Sequence, residues 1–223
     1  MKIRIKFSKH GVLKYIGHLD LMRYFQKAFR RTDINVCYSK GFSPHMIMSF
    51  AAPLGVGVES DGEYFDVEVE DSEDLSLIKD KLNATMAEGI EVLGVYKLPE
   101  KSMNAMASVQ AASYEIKFND SFSLPDVLTN TYKESDKLTY IKSTKTKDTE
   151  INVKEFTFDF NIKDNSIFIT VDASSANNLK PANFCLALFN GAGLNIDDYP
   201  YHIFRIDIFK RDEAGNLVPL SDV

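Results

Sequence analysis

One eight-residue segment concentrates side chains that could recognise a nucleic acid. Residues 38–45 read Tyr-Ser-Lys-Gly-Phe-Ser-Pro-His, so two aromatic rings, a lysine, a histidine and two hydroxyls fall together. Proteins recognise single-stranded nucleic acid with rings that stack on bases and with donors to phosphates and base edges. Gly41 permits backbone angles that other residues avoid, and Pro44 stiffens the exit of the segment. The predicted nucleic-acid contacts are Tyr38, Ser39, Lys40, Gly41, Phe42, Ser43 and His45. For Tyr38 and Phe42 an equally good interpretation is a tight loop in which both rings pack inward.

A row of cations on one predicted helix is the second candidate. Arg23, Lys27 and the pair Arg30 and Arg31 are spaced by four, seven and eight positions, which places them along one side of a helix. Such a ridge would contact phosphates, which bind independently of sequence and weaken as salt rises. A solvated helix face is the alternative. Lys14 and Tyr15, just before the helix, complete the predicted nucleic-acid contacts.

The charge distribution favours phosphate contact over a solvated face. The first fifty residues hold ten Lys and Arg against two acids, a balance of +8, so the other 173 carry −14 within a net charge of −6. A basic block of this kind is the electrostatic signature of a polyanion site, and the acidic remainder favours a localised one.

Three of the four histidines, His10, His18 and His45, also lie in this block. Two histidines beside a phosphate can cleave RNA by general acid–base catalysis, which makes His18 and His45 candidate catalytic residues. Their spacing with Cys37 fits no zinc pattern, so we predict no metal site. No catalytic residue is assigned on this basis alone.

The remaining composition excludes several classes of protein. No apolar run is long enough to cross a bilayer, and Met1 opens directly into an alternating segment rather than a signal peptide. Cys37 and Cys185 form no CxxC pair, and two free thiols fit a reducing compartment. We therefore expect a cytoplasmic protein without a membrane segment.

Hydrophobic periodicity predicts an α+β fold. Residues 2–7 alternate charged and apolar side chains, as a strand with one solvent-facing side does. An apolar stripe with helical spacing follows over residues 18–31. Further strands are expected at 64–69 and 90–98, and between them a second helix is expected to start near a cap at Ser72 and Asp74. This order, with short strands around the loop, is that of a ferredoxin-like βαββαβ unit, an antiparallel sheet with helices on one face.

The order recurs more loosely downstream, which predicts two ferredoxin-like units in tandem. We expect a basic N-terminal domain at 1–98, a linker at 99–108 and a C-terminal domain at 109–223. The predicted elements of the second half are strands at 113–118, 138–143, 156–162, 167–171 and 202–209, with helices at 124–132 and 181–189; Asp164-Asn165 marks a hairpin turn.

Several of these segments carry a resemblance to a known bacterial family. The segments are KYIGHLDLMR at 14–23, the loop at 38–45, Ser49-Phe50, and Pro53-Leu54-Gly55. The chain resembles the uncharacterised radical-SAM-associated domain, which occurs alone or C-terminal to a cobalamin-type radical SAM module. The resemblance is strong over residues 1–69 and continues to about 209. The family pattern has Pro-Lys after the loop histidine, where this chain has Met46-Ile47.

The resemblance implies a partner that performs radical chemistry. This chain lacks the CxxxCxxC spacing for an iron–sulfur cluster, so no cofactor is expected in it; the radical SAM partner would carry the cluster and S-adenosylmethionine. The leading hypothesis is an RNA-binding accessory module, without activity of its own, that presents structured RNA (tRNA or rRNA) to that enzyme for modification. The alternatives are a metal-independent endoribonuclease and a protein-interaction subunit docking on the radical SAM partner. The oligomeric state is left open.

Overall fold

The computed structural model describes residues 1–70, 74–121, 123–144 and 147–223. Within these residues the chain has five α-helices and mainly antiparallel strands, which confirms the predicted α+β class. It divides into two compact units, one of residues 1–110 with 207–223 and one of residues 111–206. These ranges differ from the expected 1–98 and 109–223, because the C-terminal segment and the expected linker both belong to the first unit.

The first unit begins with four antiparallel strands and two longer helices. Its elements are β1 (Lys2–Lys9), α1 (His18–Arg31), β2 (Met48–Phe50), β3 (Glu59–Glu68), α2 (Leu75–Asn83), β4 (Ile90–Lys97) and the short α3 (Ala105–Ser108). The strands are ordered β4-β1-β3-β2, and each neighbouring pair is antiparallel. Helix α1 covers the span predicted from its periodicity. Asp74 caps α2 by accepting from the Ser76 amide, whereas Ser72 lies outside the described residues.

The core of the first unit explains the position of α1. Ile3, Ile5 and Phe7 of β1 are fully buried, as strand alternation requires, and the apolar stripe of α1 packs with them. The Phe7 and Phe25 ring centroids lie 4.8 Å apart in an edge-to-face arrangement. Replacing a buried Phe with Ala costs about 3–5 kcal/mol, so contacts of this kind fix the helix on the sheet.

The prediction of a solvent-facing side on β1 is wrong. Arg4 is 2% exposed and bound to Asp66 through Nε (2.8 Å) and Nη2 (3.1 Å), while Nη1 donates to the Leu220 carbonyl. Lys6 binds Asp207 at 2.8 Å. Residues 207–223 therefore cover this face, and a contact that spans 216 positions in sequence leaves no trace in local periodicity.

The second unit repeats the element order with an added hairpin. Its elements are β5 (Ala111–Phe118), α4 (Val127–Glu134), β6 (Thr139–Ser143), β7 (Asp148–Asn152), β8 (Thr157–Lys163), β9 (Ser166–Asp172), α5 (Pro181–Gly191) and the first part of β10 (Tyr201–Arg211). The strands are ordered β10-β5-β9-β8, and β6 pairs with β7 separately. Asp164 and Asn165 have φ of 48° and 60°, which confirms the predicted hairpin turn.

The last residues of β10, from Asp207 onward, belong to the first unit and pair with β11 (Leu217–Pro219). Among the described residues, no helix is both long enough and apolar enough to cross a membrane.

Candidate nucleic-acid interface

Helix α1 presents the predicted cationic ridge. The helix begins after Gly17, carries Asp20 in its first turn and ends with two arginines, so its charges complement the helix dipole. Its buried side consists of Leu21, Phe25, Ala28 and Phe29. Arg23, Lys27, Arg30 and Arg31 are all exposed, as the spacing predicts.

Two members of the ridge have neighbours on the same unit. Arg23 lies 3.3 Å from Asp20 in an exposed i,i+3 pair, and the Arg31 Nη2 donates to the Thr85 carbonyl at 3.0 Å. Exposed pairs of this kind are worth at most about 1 kcal/mol, so a phosphate can compete for either guanidinium.

Half of the ten cations in the basic block hold the first unit together instead. Lys2 and Arg4 lie near Asp66, Lys6 near Asp207, and Lys14 lies 3.9 Å from Glu59. The Lys9 side chain is buried and donates to the Ile16 carbonyl at 3.4 Å. The exposed cations of the block are therefore Arg23, Lys27, Arg30, Arg31 and Lys40. Lys14, a predicted nucleic-acid contact, is half-buried. The net charge of the basic block therefore overstates the positive charge that is accessible to a ligand.

The loop at 39–45 is closed at its base by Ser39 and His45. The Ser39 amide donates to the His45 carbonyl at 2.8 Å, the His45 amide donates to Ser39 Oγ at 3.1 Å, and Tyr38 forms a bridge with Met46. Ser39 Oγ also lies 2.8 Å from His45 Nδ1. When the hydroxyl donates to that nitrogen, the ring proton lies on Nε2, where it can donate to a ligand. Gly41 has φ of +117°, a conformation that glycine adopts without strain.

The two loop aromatics do not pack inward. Phe42 is fully exposed, and Tyr38 is 45% exposed. Lys40 and Ser43 are exposed beside Phe42. Burying a phenylalanine side chain is worth about 1.5–3 kcal/mol, so a flat ligand that covered the Phe42 ring would gain part of this free energy.

The three histidines of the basic block have different partners. The His18 ring packs edge-on against Phe50 at 5.3 Å, His45 bonds to Ser39, and His10 Nε2 lies 2.7 Å from Asp61 Oδ1. Among the described residues, no hydrogen bond or ring contact joins His18 to His45, and no group of three His, Cys, Asp or Glu side chains could hold a metal. Cys37 and Cys185 are both free thiols.

Sequence reasoning missed a group of exposed apolar side chains near Tyr15. Val12 and Tyr15 lie one turn apart in a 3-10 helix at Gly11–Tyr15, and Leu19 follows at the start of α1. Val56 lies in a loop that is joined to this helix by the Gly57 amide, which donates to the Lys14 carbonyl at 2.9 Å. All four side chains are at least 60% exposed. The sequence holds no signal for this, because the same residue types usually fill cores.

Comparison of the sequence with protein-family models finds one match. The model described as "Uncharacterized protein conserved in bacteria (DUF2344)" covers residues 2–181. The chain belongs to this family. The match spans both the loop at 39–45 and helix α1, so the candidate interface lies within the DUF2344 region. No curated protein matches the chain in sequence.

Comparison of the fold with solved structures finds distant likenesses. One chain of a crystal structure of a Cbf5-Nop10-Gar1 complex has 9% identity and a TM-score of 0.49; the match covers 95% of this chain and 50% of that one. A crystal structure described as that of an unknown protein from Galdieria sulphuraria has 10% identity and a TM-score of 0.27, and the match covers 93% of this chain and 97% of that one. The DUF2344 chain thus spans about half the length of the first of these.

Proposed function

We propose that this DUF2344 protein is an RNA-binding accessory module that presents structured RNA, a tRNA or rRNA, to a radical SAM partner for modification. The observation that carries the proposal is the fully exposed Phe42 at the tip of a closed loop, with Lys40 beside it and His45 at the base. An unpaired base would stack on Phe42, and Lys40 would neutralise its phosphate.

The ridge on α1 supplies the sequence-independent part of the binding. Its cations are exposed on a rigid helix whose apolar side is fixed in the core, so phosphates would be held without ordering new backbone. The five exposed cations limit the electrostatic contribution to about five phosphate contacts, which suits a local site on an otherwise acidic protein.

The partner in this proposal is a second protein that carries the iron–sulfur cluster and S-adenosylmethionine. The exposed side chains of Val12, Tyr15, Leu19 and Val56 are available for a protein contact, since exposed apolar surface is what such contacts bury. Tyr15, which the sequence assigned to RNA, fits this contact as well as a base-stacking one.

The architecture in this proposal is a tandem of ferredoxin-like units. The first unit has the order βαββαβ, and the second has the same order once β6 and β7 are set aside; the strand orders β4-β1-β3-β2 and β10-β5-β9-β8 then correspond position by position. The second unit would then carry β6 and β7 as an inserted hairpin.

The test is an RNA-binding titration in which fluorescence anisotropy reports the bound fraction. Unpaired oligonucleotides and a folded tRNA would be titrated at several salt concentrations against the wild type and the Phe42→Ala variant. The proposal expects binding at low salt and a loss of about 1–3 kcal/mol in the variant, the range for one stacked base. Absence of binding at low salt, or unchanged binding by Phe42→Ala, would overturn it.

A further inference from the structure

A cleft of about 810 Å³ opens in the first unit, away from the loop at 39–45 in sequence. The end of β1 and the turn after it form one wall, and the connection between α2 and β4 forms the other. The volume lies within the range of roughly 300–1,000 Å³ that is usual for small-molecule sites. None of the RNA contacts proposed above lines this cleft.

The two walls are locked together at Gly89. The His10 amide donates to the Gly89 carbonyl at 2.7 Å, and a Cβ at position 89 would lie 2.6 Å from the His10 carbonyl oxygen. Gly89 also has φ of +95°, so glycine alone satisfies both the approach and the backbone angle. The cleft is therefore formed before any ligand arrives, which lowers the entropic cost of binding.

A serine hydroxyl also lines the cleft. Ser8 is 4% exposed and lines the cleft, and its side chain has no hydrogen-bond partner within the described part of the chain. Among the described residues no buried side-chain oxygen or nitrogen lacks a partner, so the Ser8 hydroxyl is open to the cleft, where it can bond to water or to a ligand. Beside it, His10 also lines the cleft and is held by Asp61.

The remaining side chains set the charge and polarity of the ligand. Glu88 and Glu91 line the cleft and are exposed, while Val12 and Met86 offer apolar surface. Among the described residues that line the cleft there is no Lys or Arg. We infer that the cleft binds a small organic cation with an apolar body: its ammonium group lies between Glu88 and Glu91, its body contacts Val12 and Met86, and a polar group bonds to Ser8. The inference does not depend on RNA binding.

Tyramine is a suitable probe, because it joins an ammonium group to an aromatic ring with a hydroxyl. Its matched counterpart is 4-hydroxyphenylacetate, which places a carboxylate where tyramine has the amine. Both would be titrated into the full chain by ligand-observed NMR. Tyramine is expected to bind, and the carboxylate is expected to bind at least about fivefold more weakly because it faces Glu88 and Glu91.

Two variants separate this site from general attraction of amines to an acidic protein. The double variant Glu88→Gln/Glu91→Gln should weaken tyramine binding about fivefold or more, and Ser8→Ala should weaken it about threefold, the effect of one hydrogen bond. Glu134→Gln, which removes an exposed carboxylate on α4, is the matched control and should leave binding unchanged. Equal binding of amine and carboxylate, no tyramine binding, or an equal effect of the control would each overturn the inference.

Discussion

The salt dependence of RNA binding can show how many cations of the basic block contact phosphate: the ten that the sequence contains, or the five that the structure exposes. The basic block holds ten Lys and Arg, but five of them are buried or half-buried in contacts within the first unit, and only the other five are exposed. For single strands, the slope of log K against log salt is about −0.7 per phosphate contact, so ten contacts give about −7 and five give about −3.5. The structure therefore predicts a roughly 100-fold loss of affinity between 50 and 200 mM salt, rather than one of about 10⁴.

The perturbation is the double variant Lys27→Gln/Arg30→Gln on α1. Gln has nearly the helix propensity of Lys and Arg, and both side chains are exposed, so the helix should persist with a stability change below about 1 kcal/mol. Removing two of five contacts should change the slope from about −3.5 to about −2. Anisotropy titrations with a labelled single-stranded RNA at four salt concentrations measure the slope directly.

The matched control is Lys133→Gln, which removes an exposed cation from the last turn of α4 in the second unit. This control should leave the slope unchanged. A wild-type slope near −7 would show that the paired cations also bind phosphate. A slope near zero, or equal changes in the control and the double variant, would refute the assignment of the ridge.

Three further predictions follow from the contacts. Phe42→Tyr should keep the RNA affinity, whereas Phe42→Leu should lose about 1–3 kcal/mol of binding free energy, because stacking needs a ring. Both variants should keep the wild-type melting temperature, and normal RNA binding by Phe42→Leu would contradict stacking. Arg4→Met should lower the free energy of unfolding by about 3 kcal/mol, because the buried Asp66 loses its guanidinium partner and keeps the more distant Lys2 at 3.8 Å. Urea denaturation measures this change, and a loss below about 1 kcal/mol would contradict the prediction. Burial raises the pKa of the Cys185 thiol to about 12, so this thiol stays neutral at pH 8. Iodoacetamide should therefore label the native chain once, at Cys37, and the urea-unfolded chain twice, as counted by mass spectrometry. Rapid labelling of Cys185 in the native chain would contradict its burial.

Local patterns predicted the elements that carry the candidate site. Helix α1 was predicted with the observed bounds, because its apolar stripe, Gly17 and its terminal charges all agree. The turn at Asp164 and Asn165 was predicted for a similar reason, since these residues tolerate positive φ. Each of these signals lies within a few residues of the structure that it specifies.

Contacts between distant segments could not be predicted in this way. The solvent-facing side expected on β1 is covered by residues 207–223, about two hundred positions away. Strand β7 was missed because Asp148–Asn152 lacks an apolar alternation, and β11 was missed because it has only three residues. The sequence also left open whether Phe42 faces the core or water, since that depends on where the whole loop lies.

In the proposed function, RNA contacts the loop at 39–45 of this DUF2344 protein. Ultraviolet crosslinking in cells, followed by nuclease digestion and mass mapping of the peptide that carries the nucleotide, tests it most directly. Nucleotide adducts are expected on Tyr38 or Phe42, and they should be lost in Phe42→Ala. Recovery of no crosslinked RNA, or adducts confined to the second unit, would contradict it.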